Sequence, residues 1–102
     1  MRSRISLSPP AKSDLAEIKA YYVGKASADV AIQILSELRF AIRELARRPG
    51  LGHKREDLTK DDVLFWLVRS YLVVYRHRAG ILEVVGVLHG ARDIPSILPD
   101  RT

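Results

Sequence analysis

The chain has 102 residues, 47% hydrophobic and 28% charged, with no cysteine and a net charge of +5. That length holds one domain able to hide roughly 60–70% of its unfolded surface, and the composition lies far from that of disordered chains. Without thiols there is no disulfide framework and no thiolate metal site. The positive excess is dispersed, with seven basic and five acidic residues through Ala46 and ten and seven beyond it. It suits an acidic partner, nucleic acid or protein, without choosing between them.

Arg2 and Arg4 are followed by no apolar run, so no signal peptide is expected. The most apolar stretch, Val63 to Tyr75, is interrupted by Arg69 and is too short to cross a bilayer as a helix. A single soluble domain over residues 1–102, in the cytoplasm, is expected. Its first element is a short strand, because Arg4-Ile5-Ser6-Leu7 alternates polar and apolar side chains. Ser8 before Pro9 is a helix start: the hydroxyl accepts from an orphan N–H, and proline at the first position has none to waste. Ala11, Leu15, Ile18 and Tyr22 then fall on one helical stripe that ends near Gly24.

Ser27 opens a second helix, with Asp29 in its first turn where negative charge suits the helix dipole. Ala31, Ile34, Leu35, Leu38, Ala41, Ile42 and Leu45 make its broad apolar face, and Arg47-Arg48-Pro49-Gly50 closes it. So short a connection makes the two helices an antiparallel hairpin. Gly50 to Asp62 reads as a polar loop. Val63–Val68, Tyr71–His77 and Ile81–Leu88 read as three strands joined by tight turns at Arg69-Ser70 and Arg78-Ala79-Gly80.

Strict alternation on the last strand places Leu82, Val84, Gly86 and Leu88 on one face, and Glu83, Val85, Val87 and His89 on the other. Both sets are largely apolar, and a helical hairpin covers only one face. The second face is therefore expected to be free for a partner, with Ile94 to Pro99 packing as an irregular arm. The fold class is α+β, in the order β-α-α-β-β-β, with the hairpin packed on a small antiparallel sheet.

Candidate site residues gather late in the chain. His89, at the end of the last strand, is a possible general base or a strand-end cap. Arg69, Arg76, Arg78, Lys54 and Arg55 form either a phosphate groove or a set of solvated charges. Tyr71 and Tyr75 sit on one strand face, to stack on bases or to fill the core. Arg92 and Asp93 suit a local ion pair. No residues stand at metal-ligand spacing with Asp93, so neither a metal nor another cofactor is expected.

These pieces resemble the RelE/ParE superfamily of bacterial toxins, and within it the ParE (plasmid stabilisation) branch. The resemblance runs through Leu7-Ser8-Pro9-Pro10-Ala11 with Asp14-Leu15 and Ile18, then Arg48-Pro49-Gly50-Leu51-Gly52 and Tyr71-Leu72-Val73-Val74-Tyr75-Arg76. It ends in Val84-Val85-Gly86-Val87-Leu88-His89-Gly90-Ala91-Arg92-Asp93. It implies a cognate antitoxin that folds while wrapping the toxin, DNA gyrase as target, and no sequence-specific DNA binding by this chain alone. Tyr71, Tyr75, Arg76, Val85, Val87, His89 and Arg92 are the expected partner-binding residues, and none is expected to be catalytic. RelE-like relatives instead cut mRNA on the ribosome. In that alternative His89, Arg69, Arg76 and Arg92 carry the chemistry, yet no Tyr or His follows His89 to serve as a second proton carrier.

Overall fold

The computed structural model describes residues 3–101; Met1 and Arg2, within the stretch judged not to be a signal peptide, and Thr102 lie outside the described residues. The elements run β1 (Arg4–Leu7), α1 (Pro9–Lys25), α2 (Ala28–Arg47), β2 (Leu64–Val68), β3 (Tyr71–Arg78), β4 (Ile81–His89) and α3 (Ile94–Ile97). Single 3-10 turns stand at Pro49–Leu51 and Leu98–Asp100. Both expected caps form: Ser8 Oγ accepts from the Ala11 N–H and Ser27 Oγ from the Val30 N–H, each at 3.2 Å. The irregular arm contains ordered turns, namely α3 and the 3-10 turn that follows it.

The sheet order is β1-β4-β3-β2. β2, β3 and β4 form an antiparallel meander, whereas β1 joins β4 in parallel, so the sheet is mixed rather than wholly antiparallel. The cause is connectivity. A tight turn dictates an antiparallel neighbour, but β1 and β4 are separated by the whole hairpin and meander, and so long a connection permits parallel pairing. The β3–β4 turn has positive φ at both central residues, 50° at Ala79 and 74° at Gly80, the backbone twist that two-residue hairpins favour.

One irregularity reorganises the faces. Val74 pairs with Gly86 and Tyr75 with Val84, leaving Val85 as an extra residue in β4. Beyond this bulge the alternation is reset. Leu82, Val84 and Val87 point to the hairpin, while Val85 and Leu88 point away. Strict alternation, which paired Val84 with Leu88 and Val85 with Val87, is corrected at that residue.

The hairpin face buries Leu15, Ile18, Leu38, Ile42 and Leu45 of the helices against Tyr71, Val73, Tyr75, Leu82 and Val84. The opposite face is not free. Ile94 and Leu98, with Leu58 and Ile97 at the margin, cover Phe65, Leu72, Val74, Val85 and Leu88. Ile94 and Leu98 are 1% and 0% exposed, and each contributes roughly 1.5–3 kcal/mol by leaving water. The chain seals its own second face, which overturns the expectation that this surface awaits a partner.

Candidate functional site

Two clefts flank α1, each fed by one side of its helical repeat. Lys12, Leu15, Ala16 and Lys19 recur at i, i+3, i+4 and i+7 and look toward α2. Asp14, Glu17, Ile18, Tyr21 and Tyr22 lie on the other side and look toward the end of β4.

The cleft between α1 and α2, of about 470 Å³, has an apolar floor of Leu7, Leu15, Ala31, Ile32 and Leu35. Within that floor Ile32 is 61% exposed, a large apolar side chain left in water. Lys12, Lys19 and Arg39 form its rim, and among the described residues none of the three enters a salt bridge.

The second cleft, of about 400 Å³, is lined by Tyr21, Tyr22, Tyr71, Val87, His89 and Arg92 beside the acidic residues of α1. The rings interlock edge to face, Tyr21 with Tyr22 at 5.0 Å and Tyr71 with His89 at 5.4 Å between centroids. The Tyr71 hydroxyl donates to that of Tyr22 at 3.4 Å. Burial, and then that hydrogen bond, push the Tyr71 phenol well above its ordinary pKa. His89 Nδ1 accepts from the Ala91 N–H at 3.1 Å, so the neutral ring carries its proton on Nε2.

Asp14 closes the base of this cleft for a backbone reason. β1 pairs with β4 only as far as Val84, so the edge groups of Val85 and Val87 have no strand beside them. Side chains substitute for the strand. The Val87 N–H donates to Asp14 Oδ2 at 2.9 Å, and Arg101 forks onto both Asp14 oxygens at 2.5 and 3.1 Å while reaching the Val85 carbonyl at 3.4 Å. Gly86 makes room for this, since a Cβ there would lie 3.0 Å from Arg101 Nη1.

The expected site residues part company. His89, Arg92 and Tyr71 share the second cleft, with Val87 in its wall. Tyr75 and Val85 are buried to 0% and 1% exposure, which leaves them no surface for a partner. Tyr75 is an anchor: its hydroxyl donates to the Pro49 carbonyl at 2.6 Å and accepts from the Gly52 N–H at 2.9 Å. Arg76 is paired with Glu83 at 2.6 Å, about 17 Å along β3 from Tyr71. Arg69 lies at the same end of the sheet as His89, but Glu37 holds it at 2.9 and 2.7 Å. That pairing keeps the Glu37 carboxyl below its ordinary range.

The basic cluster therefore does not assemble into one groove. Lys54 faces Asp62, Arg55 faces Asp57, and Arg78 lies beside the Arg76–Glu83 pair. Asp93 accepts from the Ser96 hydroxyl at 2.7 Å rather than pairing with Arg92. Among the described residues no group of three or more His, Cys, Asp or Glu is placed to hold a metal, and no helix is long and apolar enough to cross a membrane. The reading of residues missed α1 as a site element. Glu17, Tyr21 and Tyr22 stand with His89, so further titratable side chains do share its cleft, supplied from before it in the chain rather than after. Their spacing at i, i+4 and i+5 was the available signal.

Comparison with known proteins places this arrangement. Residues 5–94 match the family model for the ParE toxin of the type II toxin–antitoxin system, parDE. The chain belongs to the ParE toxin family. A solved chain from the chromosomal ParDE TA system of P. aeruginosa superposes with a TM-score of 0.73 at 13% identity, covering 86% of this chain and 96% of that one. At that identity the likeness is one of fold. No curated protein matches. The expected toxin family and its α+β scaffold are thereby borne out.

Proposed function

We propose that this ParE-family toxin acts by binding DNA gyrase, and that a cognate antitoxin silences it by seating an acidic amphipathic helix between α1 and α2. The observation that carries the antitoxin reading is the pairing of an apolar floor, including the exposed Ile32, with three rim cations that have no salt bridge among the described residues. An amphipathic helix meets such a floor with its apolar stripe and such a rim with flanking carboxylates. A partly disordered partner would order itself there as it binds. Gyrase is the target that family membership supports, and the protein would work there as a non-enzymatic inhibitor in the cytoplasm.

The ribonuclease alternative draws support from His89 and Arg92 sharing a cleft with Tyr22 and Tyr71. Against it, Arg69 and Arg76, the other two cations it needs, are engaged by Glu37 and Glu83. We rank it second.

The test is a gyrase supercoiling assay with the purified toxin, run beside a translating extract scored for cut mRNA. Inhibition near stoichiometric amounts, relieved by the antitoxin, is expected. Normal supercoiling under excess toxin would dismiss the gyrase reading, and cut mRNA would promote the alternative. Lys12→Glu with Lys19→Glu should weaken antitoxin binding by at least about tenfold, since like charges then face each other. Unchanged binding would remove this cleft as the seat of the antitoxin.

A further inference from the structure

We propose that the cleft between α1 and the end of β4 binds a free guanine mononucleotide, a ligand that neither the gyrase nor the antitoxin reading uses. Three features of its wall call for different parts of one molecule. The first is a cation with no partner. Among the described residues Arg92 makes no side-chain hydrogen bond or salt bridge, and in the same cleft His89 has spent Nδ1 on the Ala91 N–H, leaving Nε2–H to donate. A guanidinium and a ring N–H lining one cleft suit a phosphate, which accepts from both.

The second feature is an aromatic wall. Tyr21 is 54% exposed and stands edge to face with Tyr22, so its ring is held while much of its surface remains wet. A nucleobase stacks on such a ring with roughly 1–3 kcal/mol, and any base has the face to do so.

Selectivity comes from the third. Glu17 lies four residues before Tyr21, hence on the same side of α1 and about one turn away. Among the described residues it also lacks a salt bridge. A carboxylate accepts only, and the guanine edge offers two adjacent N–H donors that fit its two oxygens, whereas adenine offers one beside an acceptor. Asp14 does not compete for the ligand, because both its oxygens are occupied by Arg101 and the Val87 N–H. Tyr22 has a hydroxyl proton to give, since it accepts from Tyr71. The volume of about 400 Å³ falls within the usual range for small-ligand clefts.

Titration of the full chain with GMP, followed by NMR of its backbone amides and tyrosine rings, tests this. Shifts should concentrate at Tyr21, Tyr22, His89 and Arg92 and saturate. Arg92→Ala and Tyr21→Ala should each weaken binding by about tenfold, the fold-change of 1.4 kcal/mol. AMP, and guanosine without its phosphate, should bind about tenfold more weakly than GMP. Lys60→Ala, exposed in the loop before β2 and outside both clefts, should leave the GMP affinity unchanged. Arg92→Gln repeats the charge test if Arg92→Ala perturbs the fold. No saturating shifts at millimolar GMP would overturn the proposal, as would an affinity unmoved by the Arg92 and Tyr21 variants. Inorganic phosphate binding as tightly as GMP would also overturn it, because the ring would then contribute nothing. A short single-stranded RNA that shifts these residues where GMP does not would replace the free nucleotide with a strand.

Discussion

The two faces of the sheet are sealed by different means. On one, the 20-residue α2 brings a broad amphipathic stripe, the 17-residue α1 lays Ala11, Leu15 and Ile18 beside it, and a serine caps each helix before the sheet adds anything. On the other, α3 has four residues, too few to stand as a helix in water. It stays in place because Ile94 and Leu98 fill the sheet surface and Arg101 forks onto Asp14. The first cover is self-organised and the second is conditional. A conditional cover concentrates its stability in a few contacts, so single substitutions there should matter more than the short length of the segment suggests.

The sharpest way to break this contrast is Asp14→Ala. It strands the partly buried Arg101 guanidinium and the Val87 N–H around the vacated Asp14 position, and the expected loss is about 3–5 kcal/mol in urea unfolding. Adding Arg101→Met should recover part of it, and strictly additive losses would dissolve the coupling. Next comes Leu98→Ala, with an expected cost of about 2–4 kcal/mol. Hydrogen exchange should show the amides from Ile94 to Arg101 opening well before those of β3, and equal protection would make the second cover no less autonomous than the first.

Alkali should act from the opposite side. Tyr71 and Tyr75 both face the hairpin, and burial is the main cause that raises both phenols above the ordinary value of about 10. A folded-state pKa above the unfolded one gives stability that is intact below pH of about 10 and drains as pH climbs beyond it. Tyr71→Phe and Tyr75→Phe should each flatten that decline, and a slope unchanged in both would assign alkaline unfolding elsewhere. The smallest effect belongs to Arg69→Ala, which removes an exposed pair with Glu37 and should leave the unfolding midpoint nearly unmoved.

Much of the architecture was written locally. Ser8-Pro9, Ser27 and Pro49-Gly50 punctuate the helices, and the β2–β4 meander follows from apolar runs between short turns. Three things escaped a residue-by-residue reading. The bulge at Val85 sits in Val84-Val85-Gly86-Val87, where no polar residue marks which way each side chain points. The partnership of Asp14 with Arg101 spans 87 residues, and neither neighbourhood announces the other. The second cleft needed Glu17 and Tyr21, which a search for core positions on α1 sets aside as its wet side. Conversely, Tyr75 and Val85 looked available because alternation says which face a residue takes, never whether the chain later covers that face.

The parallel register of β1 with β4 ties residues 4–7 to residues 81–84. Synthesis delivers the N-terminal end first, at about 5–20 residues per second, so the finished hairpin waits several seconds for the strands that will shelter its stripe. During that interval Leu38, Ile42 and Leu45 lack the strand residues Tyr71, Val73, Leu82 and Val84 that complete their cluster. A nascent chain of this design shows apolar surface before it has a sheet to hide it.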